Sequence, residues 1–195
     1  PPRSDGATRA MRELGFTDDE LVLAGISVRR DGRVYDMFRQ RAIFPIIDAQ
    51  GRVLGFGGRA LGDIKPKYLN TGDTPVFNKR LGVFAANLLK KQRGLKRVIL
   101  VEGYMDVIAM HAAGFENAVA TLGTAITPDH ARLLSRYTKR VLINYDSDEA
   151  GQKAASKAMA LLDEVGIEVR VLRLSGAKDA DEYIRTYGKD AFHSI

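Results

Sequence analysis

Cysteine is absent from this 195-residue chain, and its absence rules out several kinds of site. The chain can have no disulfide, no zinc ribbon and no thiol nucleophile. No apolar run approaches the roughly 20 residues that a membrane-spanning helix needs, and the first six residues lack the apolar core of a signal peptide. We therefore expect a cytoplasmic protein without a membrane segment. The missing initiator Met predicts that the chain is a piece of a longer protein.

The charge of the chain is distributed unevenly between its two halves. Residues 1–95 carry 17 Lys and Arg against 10 Asp and Glu, a net charge of +7, whereas residues 96–195 carry −1. This asymmetry predicts a nucleic-acid-binding subdomain in 1–95 and a metal-binding catalytic subdomain in 96–195. The alternative is that the first half simply has a solvated, mildly basic surface.

From residue 96 onward, apolar runs alternate with segments of helical periodicity. The predicted elements are strands 97–101, 117–121, 140–145 and 168–174, helices 104–113, 128–136 and 149–165, and a helical tail near 180–187. Thr127 followed by Pro128 is typical of a helix start, and Gly114 and Gly166 stand where helices are predicted to end. The alternation predicts an α/β fold with a mostly parallel sheet and flanking helices.

The first half predicts a smaller α+β subdomain. We expect two short helices within 7–25, the second opened by a capping box of Thr17 and Glu20. The predicted elements that follow are a hairpin over 43–57, a long loop over 62–80 and a helix over 81–91.

Acidic residues follow two of the predicted strands of the second half. Glu102 and Asp106 follow one apolar run, and Asp146 and Asp148 follow another. Because the carboxyl ends of parallel strands meet at one edge of a sheet, these carboxylates should lie together and repel one another unless a cation neutralises them. Mg²⁺ or Mn²⁺ suits such oxygen ligands and phosphate chemistry. The alternative is that the carboxylates only cap helices and favour their amino termini.

A third acidic pair, Asp179 and Asp181, follows the last predicted strand. It lies between Lys178 and Glu182, so a solvated charged loop is the competing interpretation. The three histidines have no metal-ligand spacing, and we expect each to lie at the surface or in packing.

Positive and aromatic side chains alternate in the predicted loop of the first half, a pattern that suits a single nucleic-acid strand by charge and by stacking. The candidate binding residues are Arg39, Arg59, Lys67, Tyr68, Asn70 and Lys79. The glycine-rich segment 55–58, just before Arg59, would let a phosphate or base approach the backbone, although it is not a Walker loop. A flexible strand end is the alternative.

Taken together, these motifs resemble two parts of a known family. The three acidic segments, which resemble those of the Toprim domain of bacterial primases, topoisomerases and some nucleases, are Glu102-Gly103-Tyr104-Met105-Asp106, Asp146-Ser147-Asp148 and Asp179-Ala180-Asp181-Glu182-Tyr183. The segments that resemble the basic subdomain of DnaG-type primases are Phe56-Gly57-Gly58-Arg59, Pro66-Lys67-Tyr68-Leu69-Asn70 and Phe77-Asn78-Lys79. The chain departs from the family at Met37, where a basic residue is common, and at Ala180, where Pro is usual.

The resemblance implies the RNA-polymerase core of a bacterial DNA primase, an enzyme of nucleotidyl transfer that uses two or more Mg²⁺ or Mn²⁺ ions. It implies single-stranded DNA as template, ribonucleoside triphosphates as substrates, and the replicative helicase as a partner that binds a domain outside this chain. The zinc-binding domain of the family is also outside the chain, so we expect no zinc here. The implied catalytic residues are Glu102, Asp106, Asp146 and Asp148, and the implied metal ligands are Glu102, Asp146, Asp148, Asp179 and Asp181.

Two other functions fit the same residues. One is a different Toprim enzyme, a nuclease or a piece of a topoisomerase, and cleavage of phosphodiesters without nucleotides would favour the nuclease. The other is a catalytically silent module that binds single strands and has no metal-dependent step.

Overall fold

A computed structural model of the protein describes residues 4–122 and 125–195. The chain divides into two compact units, which we call the first unit, residues 1–48 and 52–78, and the second unit, residues 49–51 and 79–195. Among the described residues, no helix is both long enough and apolar enough to cross a membrane.

The second unit contains a five-stranded sheet. Its strands are β6 (Val83–Phe84), β7 (Val98–Val101), β8 (Ala118–Thr121), β9 (Arg140–Asn144) and β10 (Glu168–Val171), arranged in the order β10-β9-β7-β8-β6. All neighbouring pairs are parallel except β6 with β8. The helices are α3 (Ala86–Leu89), α4 (Tyr104–Ala112), α5 (Pro128–Ser135), α6 (Glu149–Asp163), α7 (Ala180–Tyr187) and α8 (Lys189–His193). The predicted α/β class with a mostly parallel sheet is confirmed.

Helices cover both faces of this sheet, so β7 and β8 are buried along their whole length and are apolar except at Thr121. Successive residues of a strand point to opposite faces, and accordingly Leu100 packs with α5 and α6 whereas Ile99 packs with α4 and α7. The predicted helix start is also confirmed, because Thr127 Oγ1 accepts a hydrogen bond from the backbone of His130, with Pro128 at the first helical position.

The first unit is a small α+β structure that contains two antiparallel sheets. Its elements are α1 (Gly6–Glu13), α2 (Asp18–Leu23), β1 (Ser27–Arg30), β2 (Arg33–Asp36), β3 (Arg41–Ile47), β4 (Val53–Ala60) and β5 (Tyr68–Asn70). β1 pairs with β2, and β3, β4 and β5 form the second sheet. The predicted capping box at Thr17 and Glu20 is present.

Helix α1 is capped by a residue that is distant in the sequence. Asp36, at the end of β2, is only 1% exposed. Its carboxylate accepts hydrogen bonds from the backbone nitrogens of Ala7 at 2.9 Å and Thr8 at 2.8 Å, and from Thr8 Oγ1 at 2.8 Å. These nitrogens belong to the first turn of the helix and have no partner within it. Burial raises the pKa of Asp36, but the three hydrogen bonds outweigh it and hold the pKa below its usual value.

The prediction for residues 81–91 was wrong in part. Val83 and Phe84 form β6 because they pair with β8, and Ala85 then adopts a left-handed φ of 65° before the short helix α3 begins. Residues 79–95 thus pack with the second unit, whereas the sequence put the division between 95 and 96. The predicted loop over 62–80 contains β5, and the hairpin of β1 and β2 was not predicted.

Candidate active site

The carboxyl ends of β7 and β9 lie side by side and bring two acidic segments together. The strands are neighbours in the sheet, and Val101 is aligned with Asn144 at their ends. Glu102 therefore leaves the sheet next to Tyr145 and Asp146.

Burial, together with the crowding of carboxylates at this edge, raises the pKa values of Glu102 and Asp146. Loss of hydration, followed by the negative charge of Asp146 and a hydrogen bond with its side chain, raises the pKa of Glu102 to about 7. Loss of hydration also dominates at Asp146, where it raises the pKa, and nearby Asp179 acts in the same direction. Ionising these carboxylates together is therefore unfavourable, and a nearby positive charge would make it less so.

Asp106 joins the cluster from the first turn of α4. Its Oδ2 accepts a hydrogen bond from the backbone nitrogen of Gly103 at 3.0 Å. Burial, together with the charges of Asp179, Asp146 and Asp181, raises its pKa to about 6 against the lowering effect of this hydrogen bond. The third acidic segment is therefore close enough to act on the first two.

Two of the aspartates also cap helices. Asp148 Oδ1 accepts a hydrogen bond from the backbone of Gly151 at 2.7 Å at the start of α6, and Asp179 Oδ1 accepts one from the backbone of Glu182 at 2.8 Å at the start of α7. The capping interpretation therefore holds for both residues. Each cap uses one of the two carboxylate oxygens, so it leaves room for a second role.

The donor set suits Mg²⁺ or Mn²⁺, which prefer carboxylate oxygens. Among residues 4–122 and 125–195, however, no three His, Cys, Asp or Glu side chains are arranged so that they could hold a metal ion as they stand. A metal would require the carboxylates to turn toward it and lose their protons. The raised pKa values of Glu102 and Asp106 support the fit, because a cation would relieve the repulsion that produces part of them.

A cavity of about 350 Å³ opens beside Asp146, between α6 and the segment after β10. Arg173 and Lys178 line it, and the Lys178 ammonium lies 3.6 Å from the Asp179 carboxylate. Asn144 lines it as well, and its Oδ1 is buried without a hydrogen-bond partner among the described residues. The sequence named Lys178 only as a neighbour of the third acidic pair, and nothing in the sequence indicated Arg173 or Asn144.

Three of the predicted nucleic-acid-binding residues meet on the sheet of the first unit. Arg59 on β4 is aligned with Tyr68 on β5, and side chains of directly paired residues share one face. The Lys67 ammonium lies 5.7 Å from the centre of the Tyr68 ring. Arg59, Lys67 and Tyr68 are all exposed, so charge and an aromatic face are presented together.

The other predicted contacts are more scattered. Asn70 is aligned with Gly57, and Arg39 is exposed on the turn between β2 and β3. Lys79 belongs to the second unit. The side chain of buried His130 forms a 3.1 Å hydrogen bond with the carbonyl oxygen of Lys79 and so fixes the Lys79 backbone. His130 therefore has a packing role, as we expected for each of the three histidines.

The glycine-rich segment packs closely against the protein's own side chains, and ligand approach to its backbone stays a prediction. It forms part of β4, where a Cβ atom on Gly58 would lie 2.8 Å from the ring of Phe38 and 3.1 Å from Arg41. The glycines therefore make room for the protein's own side chains. Arg41 in turn donates a 2.7 Å hydrogen bond to the Pro66 carbonyl oxygen and positions the loop before Lys67, a role that the sequence did not reveal.

Comparison with known proteins matches each half of the chain to a separate family model. Residues 1–90 match the model of the DNA primase catalytic core, N-terminal domain, and residues 99–184 match a Toprim-like model. The chain is 46% identical to a DNA primase of Clostridium acetobutylicum over 182 residues, which are 93% of this chain and 30% of that protein. It thus spans about a third of the length of this relative.

Solved structures agree with the sequence matches. The RNA polymerase domain of the Mycobacterium tuberculosis primase DnaG is 32% identical, with a TM-score of 0.87 and coverage of 100% of this chain and 67% of that one. A DnaG primase catalytic domain bound to single-stranded DNA is 39% identical, with a TM-score of 0.89 and coverage of 100% and 62%. The chain belongs to the DnaG-type family of bacterial DNA primases.

Proposed function

We propose that this chain is part of the catalytic core of a primase that makes RNA primers on single-stranded DNA for replication. The reaction joins the 3′-hydroxyl of one ribonucleotide to the α-phosphate of the next nucleoside triphosphate and releases pyrophosphate. The observation that carries the proposal is the meeting of Glu102 and Asp146 at the carboxyl edge of the sheet in a member of the primase family. The related catalytic domain bound to single-stranded DNA supports this choice of template.

The acidic residues at the sheet edge would have three different roles in binding metal ions. Glu102, Asp146 and Asp148 would hold two Mg²⁺ or Mn²⁺ ions, Asp106 would support them, and Asp179 and Asp181 would bind a further metal or the metal complex of the nucleotide. When bound, the ions would favour deprotonation of the attacking hydroxyl and neutralise charge on the phosphoryl oxygens and the leaving group. Glu102 is exposed beside Asp146, so it can reach the attacking hydroxyl as well as a cation.

Positive residues would hold the polyanionic reactants. Arg173 and Lys178 at the cavity beside Asp146 can receive the triphosphate, and a cavity of this size is within the range of small-ligand sites. The proposed contacts to template or nucleotide from the rest of the chain are Arg39, Arg59, Lys67, Tyr68, Asn70 and Lys79. Lys67 and Tyr68 supply the charge and the ring that single strands require.

The remaining proposals concern the whole protein. The nucleic-acid-binding function would belong to residues 1–95 and the catalytic function to 96–195, a division of function that differs from the compact units because 79–95 pack within the second unit. Zinc would be held elsewhere in the protein. The replicative helicase would bind through a domain outside this chain. Primer synthesis would take place in the cytoplasm, where the bacterial chromosome is copied.

The test is ribonucleotide incorporation on single-stranded DNA with Mg²⁺ or Mn²⁺, in the complete protein and in this chain. Glu102→Gln keeps the size and hydrogen bonding of the side chain and removes its charge. Loss of a transition-state charge contact should cost about 2.7–4 kcal/mol, a hundredfold or more in rate. The matched control is Glu164→Gln, which removes a charge from an exposed residue at the end of α6.

A Glu102→Gln variant that primes at the wild-type rate would refute the role of Glu102. A complete protein that never joins ribonucleotides but cuts DNA with Mg²⁺ would be a nuclease. One that binds single strands and performs neither reaction would be a silent module.

A further inference from the structure

The second unit has a cleft of about 500 Å³ at the edge of the sheet opposite the acidic residues. Arg97, just before β7, and Asn117, just before β8, line it together with residues at the end of α4 and in α8. A four-residue strand separates this edge from Glu102, which is about 13 Å at 3.3 Å per residue. The cleft is therefore a different site from the acidic cluster.

The cleft is basic, and among the described residues its cations form no ion pairs. Four Lys and Arg side chains line it, namely Arg93, Lys96, Arg97 and Lys189, against the carboxylate of Asp190. None of these four forms an ion pair with a carboxylate in the described parts of the chain. Elsewhere in the second unit, Arg132, Arg140 and Lys153 each pair with an acidic neighbour, whereas Arg136, Lys139 and Lys157 form no ion pair among the described residues, so it is the clustering of the four cleft cations that sets them apart.

Two further features fit an anionic ligand. The Nε2 atom of Gln92, a donor, has no acceptor among the described residues; it is shielded from solvent, so the side chain of this lining residue would have to turn to reach a ligand. The Asn117 side chain donates a 2.9 Å hydrogen bond to the Arg97 carbonyl oxygen and so holds the backbone of a lining cation in place.

The cleft offers more positive charge than aromatic surface. Of its two lining rings, Phe115 is packed edge-on against Phe192 with ring centres 4.9 Å apart, and the smaller imidazole of His193 is exposed with its centre 6.2 Å from that of Phe115. The basic character continues along the chain, because five of the eight residues from Lys90 to Arg97 are Lys or Arg. An extended row of cations with one small exposed ring suits a phosphate backbone better than a nucleoside.

We propose that this cleft binds the phosphate backbone of a nucleic-acid strand, as a contact separate from the acidic edge and independent of base sequence. This contact goes beyond the proposed function, because none of the cleft residues is among those proposed above to hold the template or the nucleotide. The cleft would instead hold nucleic acid away from the reacting groups.

The experiment compares two triple variants of this chain that change the net charge equally. The cleft variant carries Arg93→Glu, Lys96→Glu and Arg97→Glu. The control carries Arg132→Glu, Arg136→Glu and Lys157→Glu, which lie on or at the end of α5 and α6, the helices of the other face of the sheet. The probe is an oligo(dT) strand, and its affinity is measured over a range of salt concentrations.

The cleft variant should bind at least tenfold more weakly than the control variant. The salt slope should fall by about 2, since each lost phosphate contact on a single strand contributes about 0.7. Mn²⁺ affinity and the thermal unfolding midpoint should stay at the wild-type values. If the charge-reversed variant does not fold, the same comparison is made with Gln in place of Glu at the three positions of each variant.

Equal weakening by the two triple variants would overturn the proposal, because net charge alone would then explain it. Hydrogen exchange supplies the second measurement, and oligo(dT) should protect 90–97 and 189–193. Protection of these segments by tripolyphosphate at equal phosphate concentration, with none from oligo(dT), would identify a small-polyphosphate site and also overturn the proposal.

Discussion

Gly151 makes the acidic edge unusually sensitive to a single added methyl group. A Cβ atom at this position would lie 2.9 Å from the carbonyl carbon of Asp146 and closer still to its oxygen. Both are backbone atoms, so no side-chain rotation can relieve the overlap. Gly151→Ala must therefore shift either the start of α6 or the segment that carries Asp146.

Two opposing effects set the magnitude for Gly151→Ala. Alanine in place of glycine favours a helix by about 0.5–1 kcal/mol, whereas overpacking a buried position costs about 1–3 kcal/mol. The overlap here involves rigid backbone, so the upper part of that range applies. We expect a net loss of about 1–2 kcal/mol in the free energy of unfolding. We also expect weaker Mn²⁺ binding, because Asp146 and Asp148 are displaced relative to Glu102.

Urea unfolding followed by circular dichroism measures the stability change, and a Mn²⁺ titration measures the change at the site. Gly72→Ala is the matched control, since a Cβ atom there meets nothing within 4 Å and its φ is not left-handed. A Gly151→Ala variant as stable as the wild type would refute the packing argument. A destabilised variant with wild-type Mn²⁺ affinity would show that Asp146 is not a ligand.

Three further predictions concern the rest of the chain. Asp36→Ala should lose about 2–4 kcal/mol in urea unfolding, because it leaves buried amide groups of α1 unsatisfied. Since the folded pKa of Asp36 is lowered, its stabilisation is present above 3.8 and should fade as pH falls through the folded value, with the variant showing a flatter profile. His130→Ala should cost about 2–4 kcal/mol. Burial lowers the pKa of His130, so the wild type should lose stability as pH falls below 6.5, and the variant should lose less. Tyr68→Ala should weaken single-stranded DNA binding by about 1–3 kcal/mol through lost stacking, and Lys67→Ala should flatten the salt slope by about 0.7. Arg33→Ala, an exposed cation of the same unit, should do neither; equal effects in all three variants would refute the assignment.

The parts of the fold that depend on local sequence were predictable. The alternation after residue 96 gave the parallel sheet because buried strands such as Val98–Val101 are continuous apolar runs bounded by helix caps. The segments that failed depend on distant partners. β6 is a strand only because it pairs with β8, and Ala85 takes a left-handed φ that alanine rarely adopts.

The site was predictable to the same extent. The convergence of Glu102 with Asp146 followed from strand ends and parallel topology. The cap of α1 by Asp36, across 28 residues, leaves no local pattern. The close contact between Gly151 and the Asp146 backbone could not be predicted either, because a glycine near the start of a helix occurs for several different structural reasons.

Capping and metal binding need not be alternatives at this sheet edge. Asp148 caps α6, Asp179 caps α7, and Asp106 accepts a hydrogen bond from Gly103 at the start of α4. The amino termini of three helices, each with a partial positive charge, thus coincide with the three acidic segments. Their dipoles offset part of the carboxylate repulsion, so the fold can hold these side chains together before any cation arrives. Burial first, and then the charge of neighbouring carboxylates, still raises the pKa values of Glu102 and Asp106. A divalent ion would neutralise the remaining negative charge, and the caps would hold Asp148 and Asp179 in position to receive it.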